Sequence, residues 1–156
     1  MPLLSDEEYM QEALKLAQKA YSLGEAPIGA VVVKKSTGEI IGRGYNLRET
    51  EKSPLAHAEI MALNEASRTL GGWRIIDSIL YVTLEPCPMC AGAIINSRID
   101  RVVFGARDYK AGSVGSVVDL FELPYNHKPE VTAGVLEAEC SGILTKFFSE
   151  LRKRKK

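Results

Sequence analysis

Residues 79–105 read ILYVTLEPCPMCAGAIINSRIDRVVFG, and the order of patterns within them decides the fold class. Ile79 to Leu84 is a short apolar run with β-branched and aromatic residues, the pattern of a buried strand. The chain turns directly from it, through Glu85-Pro86-Cys87-Pro88, into a helical stretch that closes near Ser97. Arg101 to Gly105 is a strand again. Helices that sit between strands must cover the faces of a sheet, which selects an α/β protein.

The flanking sequence extends the pattern. Ser5 followed by Glu8 forms a capping box, with Asp6 and Glu7 suited to the positive end of a helix. Tyr9, Ala13, Leu16, Ala17 and Ala20 recur at helical spacing until Gly24 and Pro27 stop the run. IGAVVVK (28–34) and EIIGRGYN (39–46) are strands joined through a Ser-Thr-Gly turn. Ala56 to Leu70 is helical in period and ends at Gly71-Gly72. After a polar loop, ARDYKAGSVGS (106–116), a last short strand falls at Val131–Ala133 and a helix runs from about Glu137 to Arg152. The expected architecture is a three-layer α/β/α sandwich around a mixed five-stranded sheet, formed by one domain over 1–156 without repeats or a linker.

Composition bounds the function. Charged residues make up 26% and apolar ones 46%, ordinary for a globular chain. No segment approaches the roughly 20 apolar residues of a membrane span. The opening residues MPLLSDEEYM lack the basic and apolar regions of a secretion signal, so a cytoplasmic protein is expected. Three cysteines are a poor disulfide framework. Net charge is zero but unevenly spread: the basic end at 146–156 holds six basic residues and one acid, leaving 14 basic and 19 acidic residues elsewhere. Such a terminus is a solvated tail or a contact for an anionic partner.

Two short motifs carry the chemistry. Cys87 and Cys90 are i and i+3 at a helix start, where thiolates are favoured and both sulfurs can face one point. His57 opens the helix that begins near Ala56. If the two helix mouths face each other, His57, Cys87 and Cys90 converge on about one Zn²⁺ per chain, and three protein ligands leave a fourth position open, as in catalytic zinc sites. Glu59 stands two residues after His57, poorly placed to join it on the metal, yet able to reach a group held at the open position. It is therefore the candidate general acid–base. A redox Cys-x-x-Cys pair, or a closed structural zinc recruiting Cys140 or His127, are the competing assignments. Cys140 lies in an apolar stretch and reads as a small buried hydrophobe, and His127 in YNHKP reads as a loop residue.

His-Ala-Glu at 57–59 with Pro-Cys-Pro-Met-Cys at 86–90 resembles the H-x-E…P-C-x-x-C signature of zinc nucleobase deaminases. With APIGAVVV, GRGYN, HAEIMAL, LYVTLEPCPMCAGAIINSRIDRVVFGARDYKAGSVGS and the late Phe-Phe pair, nearly the whole chain resembles the bacterial tRNA-specific adenosine deaminase family, within the cytidine deaminase-like fold. That resemblance implies a homodimer converting the wobble adenosine of an arginine tRNA anticodon to inosine. Zinc-held hydroxide would attack C6 of adenine, Glu59 would protonate the ring nitrogen, and ammonia would leave. By the same resemblance Asn46 contacts the flipped base, Asp108 the neighbouring nucleotide, and Arg152 with the basic end the RNA backbone. Read as bare sequence, these three are a turn residue, a loop carboxylate and a solvated helix end.

The expected partner is thus a tRNA anticodon stem-loop, with neither membrane nor DNA. One rival is an enzyme of the same superfamily acting on free guanine or cytosine. The other is a non-catalytic RNA- or protein-binding module with a structural zinc, against which Glu59 is intact.

Overall fold

The computed structural model describes residues 3–154, so Lys155 and Lys156 of the expected basic end lie outside the described residues. Helix α1 (Asp6–Ser22) leads to an antiparallel hairpin, β1 (Gly29–Lys34) and β2 (Ile40–Tyr45). Helix α2 (Ala58–Leu70), β3 (Ser78–Leu84), α3 (Pro88–Ser97) and β4 (Arg101–Ala106) follow. A 3₁₀ turn at Leu120–Glu122, which the sequence reading did not include, precedes β5 (Glu130–Ala133) and α4 (Glu137–Arg154). The sheet order is β2-β1-β3-β4-β5, with β1 antiparallel to both neighbours and β3, β4 and β5 mutually parallel. The mixed five-stranded sheet expected from the sequence is therefore present.

Alternation along the strands sorts the core into two layers. Ala30, Val32, Leu80, Val82, Val102 and Phe104 pack with α2 and α3. Val31, Val33, Ile79, Tyr81 and Val103 face α1 and Cys140 of α4. Each strand face is apolar because each is covered by helices, which gives the three layers. No helix among the described residues is long and apolar enough to cross a membrane.

The helix starts follow their local chemistry. Ser5 Oγ accepts from Glu8 N at 3.1 Å and Glu8 Oε1 from Ser5 N at 3.2 Å, closing the capping box. Asp6 does more than face the helix dipole. It takes two hydrogen bonds from Arg101 of β4, at 3.1 and 2.7 Å, and one from Tyr81 at 2.7 Å, tying α1 across the sheet. Helix α2 lies directly on β2 because Gly42 and Gly44 leave it room. A Cβ on Gly44 would stand 2.2 Å from the carbonyl oxygen of Ala58, and one on Gly42 2.2 Å from that of Ala62.

Candidate active site

The pattern of strand directions brings distant residues to one edge. The carboxyl ends of β3 and β4 lie there, beside the start of β1, since Ala30 pairs with Val82. The end of β2 joins them, with Tyr45 opposite Gly29. Asn46 after β2, Cys87 after β3 and Asp108 after β4 therefore emerge side by side, as expected for a ligand site at strand carboxyl ends. Helices α2 and α3 begin at the same edge.

His57 is the N-cap of α2, one residue outside the helix rather than in its first turn, with φ −87° and ψ 151°. The sequence places the helix start two residues early because Ala56 and His57 fit the helical period equally well. Cys87 is the N-cap of α3, Pro88 opens the helix, and Cys90 lies in its first turn. Nδ1 of His57 stands 3.6 Å from each sulfur, and the three donor atoms lie within 4.8 Å of one another. Around a tetrahedral zinc with Zn–S near 2.3 Å and Zn–N near 2.0–2.1 Å, the N···S edge is about 3.6 Å. The donor set thus fits zinc in chemistry and in spacing. Glu59, Cys140 and His127 are outside this group. Cys140 is buried against Gly105 on the far face of the sheet, and burial pushes its thiol up to about 12. His127 donates from Nε2 to the Ile99 carbonyl at 2.6 Å.

The electrostatics suit a cation. A hydrogen bond from Cys90 draws the Cys87 thiol down to about 4, while the same bond and burial push Cys90 far up. A divalent ion held by both sulfurs would favour their thiolate forms. The hydrogen bond with Cys87, and then the charge of Glu59, raise the His57 pKa. Glu59 is 4% exposed, and burial lifts its carboxyl to about 7, with the Cys87 charge adding to the shift. A carboxyl near neutrality can both take up and give a proton at working pH.

These groups line a cavity of about 230 Å³, into which Asn46, His57, Glu59, Cys87 and Asp108 all reach. Phe148 of α4 forms part of its wall. A second hollow of about 570 Å³ adjoins it across Leu84, Asp108 and Phe148, and is lined by Arg107, Tyr109, Lys110 and Arg152. Asn46 donates Nδ2–H to the Ala26 carbonyl at 3.2 Å and accepts from Arg48 N at 3.1 Å. Asp108 Oδ1 accepts from the amides of Lys110 and Ala111 at 3.0 and 3.2 Å. Arg152 lies in the adjoining hollow rather than in the cavity.

Two buried carboxylates escaped the sequence reading. Glu25 accepts from the amides of Glu49 and Thr50, at 3.1 and 2.6 Å, and from the Thr50 hydroxyl, fixing the loop after β2. Glu85 does the same for the loop after β4. Burial alone would raise both carboxyls, but their hydrogen bonds outweigh it and hold each below its ordinary value. Nothing in the motifs flags them, because their partners are backbone amides of remote loops.

The sequence model of the cytidine and deoxycytidylate deaminase zinc-binding region matches residues 4–106. The chain belongs to that family. It is a deaminase, a hydrolase of C–N bonds, and its cofactor is zinc. It is 56% identical over 155 residues to a tRNA-specific adenosine deaminase of Bacillus subtilis, covering 99% of this chain and 95% of that one. A solved structure from a study of A-to-I editing by tRNA:A34 deaminases is 43% identical, with a TM-score of 0.84 over 88% of this chain and 99% of the other. Guanine deaminase from Nitrosomonas europaea aligns with a TM-score of 0.80 at 26% identity, over 96% of this chain and 87% of the other. The deaminase reading of HAE and PCPMC thus agrees with the family found by comparison.

Proposed function

We propose that this deaminase converts the wobble adenosine of a tRNA anticodon, that of an arginine tRNA, to inosine with release of ammonia. The observation that carries the substrate assignment is the continuity of the cavity holding Glu59 with the hollow lined by Arg107, Tyr109, Lys110 and Arg152. Cations with an exposed aromatic suit phosphates and unstacked bases, which a free-base enzyme has no need to hold. The names of the relatives given above support the same substrate.

In this reading His57, Cys87 and Cys90 hold the zinc. Bound zinc supplies Lewis acidity that makes water a nucleophile near neutral pH. Glu59 would take up, in turn, the two protons that the attacking water's oxygen loses, and deliver one to the ring nitrogen and one to the departing amine of the base. Burial serves that task, since it raises the carboxyl above its ordinary value and excludes bulk water from the transfer. Asn46 contacts the extruded base with the N–H and lone pair that its turn leaves over. Asp108 meets the neighbouring nucleotide, and Arg152 and the basic end of α4 meet the backbone.

The same reading makes residues 1–156 one deaminase domain that works in the cytoplasm as a homodimer. An apolar groove lined by Ile60, Leu63, Trp73 and Ala93, with Trp73 56% exposed, supports a self-interface on the α2–α3 layer.

The test is ammonia release from an anticodon stem-loop and from free adenosine, guanine and cytosine, at low and moderate salt. The expected result is rapid turnover of the stem-loop that weakens as salt rises, because phosphate contacts release counterions. Efficient, salt-insensitive guanine or cytosine deamination with the stem-loop untouched would replace this reading by that of a free-base enzyme.

A further inference from the structure

Glu85 takes no part in the chemistry above, yet it is only 1% exposed and lies at the catalytic edge. Its oxygens accept four hydrogen bonds, all from the loop that follows β4. Oε1 accepts from Asp108 N at 3.1 Å and from the Ser116 hydroxyl. Oε2 accepts from Val114 N at 3.0 Å and Ser116 N at 3.1 Å. All four partners donate, so the site is matched to an acceptor-only carboxylate; a glutamine would turn an NH₂ toward two of them.

Gly112 completes the arrangement from the other side. A Cβ there would lie 2.4 Å from both Glu85 Cδ and the Asp108 carbonyl oxygen, and 2.5 Å from Glu85 Oε2. The loop can wrap this carboxylate only because Gly112 has no side chain. Ser113 N also donates to the Pro86 carbonyl at 2.8 Å, so the same loop is fastened to the turn that carries Cys87. Its outer side exposes Arg107, Tyr109 and Lys110, and Asp108 stands at the rim of the cavity.

We infer that Glu85, with Gly112 seated against it, is the positioning residue that sets the 107–116 loop at the cavity mouth and so determines its grip on the nucleotides flanking the target base. The inference rests on the tRNA reading above. A carboxylate that served only the fold would change stability and leave substrate affinity alone. One that positions the loop changes KM for the RNA while leaving the metal and the chemical step in place.

The experiment compares Glu85→Gln, Gly112→Ala and the double variant as full-length, zinc-loaded enzymes on an anticodon stem-loop, with kcat, KM and zinc content measured for each. Each single variant is expected to raise KM roughly tenfold or more, since misplacement near 1 Å costs up to ~10²-fold. Zinc stays at the parent level and kcat changes by less than about threefold, the fold-change of a sub-kcal/mol effect. The double variant is expected to be no worse than the worse single, because both release the same loop. Should Glu85→Gln not fold, Gly112→Ala carries the KM measurement, since it leaves every hydrogen-bonding group in place. An unchanged KM, multiplicative effects in the double variant, or a defect confined to kcat with loss of zinc overturns the assignment. A parent enzyme that leaves the stem-loop untouched overturns both the assignment and the reading beneath it; an active parent with unchanged KM in the variants overturns the assignment alone.

Discussion

Gly44→Ala tests whether the close seating of α2 on β2 sets the geometry of the active site. The added Cβ would stand 2.2 Å from the carbonyl oxygen of Ala58, 2.8 Å from Ala62 N and 2.9 Å from Met61 Cβ. Two of these neighbours are helix backbone, which cannot rotate away. Contact is tolerable only beyond about 3.0–3.4 Å, so strand and helix must separate by about 1 Å. Ala58 lies between His57 and Glu59, so the displaced turn is the one that bears both. Strand β2 is at the sheet edge and can absorb part of the movement. Even half of it reaches the ~0.5 Å within which a catalytic constellation must be held. Overpacking of this kind costs about 1–3 kcal/mol, which lowers Tm by roughly 2–12 °C for a chain of this size. Misplacement near 1 Å lowers kcat/KM by up to ~10²-fold. Zinc content falls as well, since Nδ1 of His57 moves away from the sulfurs. The comparison is Gly142→Ala, on the exposed face of α4 with nothing within 4 Å of the new Cβ. That change should stabilise by about 0.5–1 kcal/mol and leave activity unaltered. Thermal melts, zinc analysis and inosine formation on the two variants decide the matter. Parent-like zinc and kcat/KM in Gly44→Ala would refute the argument that this contact positions His57 and Glu59.

Glu59→Gln should retain the parent zinc content, since Glu59 lies outside the donor group, and on the proposed role in proton transfer should lower kcat by roughly 10²–10⁴-fold; zinc loss or near-parent turnover, by metal analysis and kinetics, would count against that role. Asp6→Asn should cost about 1–2 kcal/mol at neutral pH, measured by urea unfolding, through its partly screened pairing with Arg101. The Arg101 hydrogen bond is the largest cause and holds Asp6 below its ordinary 3.8, so this stability is present above that pH and is lost as pH falls through the lowered value. The gap between parent and variant should therefore close in acid, and a gap independent of pH would rule out the ion pair as its source. Arg152→Ala should weaken stem-loop binding and reduce the slope of log K against log salt by about one; an unchanged slope would remove Arg152 from the phosphate contacts.

What the sequence shows of this site is its short-range chemistry. HAE and PCPMC each lie within a turn or so of a helix start, so residue type and spacing alone reveal convergent donors. The strands likewise show in runs such as ILYVTL, but because both sheet faces are covered the runs do not alternate, and which residue faces which layer is not legible in them. What the sequence hides depends on partners remote in the chain. Asp6 reads as a helix-start acid, yet its partner Arg101 is 95 positions away. Glu25 and Glu85 are held by backbone amides, 24–25 and 23–31 positions away respectively, and amides leave no trace in residue identity. Nothing in the strand EIIGRGYN marks the role of Gly42 and Gly44, because their reason is a helix that the local pattern does not contain. The start of α2 moved from Ala56 to Ala58 for a similar reason: His57 fits the helical period, but its extended φ and ψ belong to the cap.

Asn46 and Asp108 have two readings in the sequence, turn residue or substrate contact, and their geometry shows why these do not compete. Asn46 uses one N–H on Ala26 and one lone pair on Arg48 N, while 5% exposed and lining the cavity. An amide side chain has two donors and two lone pairs, so one of each remains. The bonds made to the backbone fix the orientation of those that remain, so binding need not order the side chain again. Asp108 has the same economy, with Oδ1 engaged by the Lys110 and Ala111 amides and Oδ2 left over at the rim. The buried carboxylates extend the principle one layer down. Glu25 fixes the loop after Asn46, and Glu85 fixes the loop that begins at Asp108. Polar groups that structure a loop are thus the ones best able to present its residues, since a contact residue held by its own turn keeps its donors aimed before the ligand arrives.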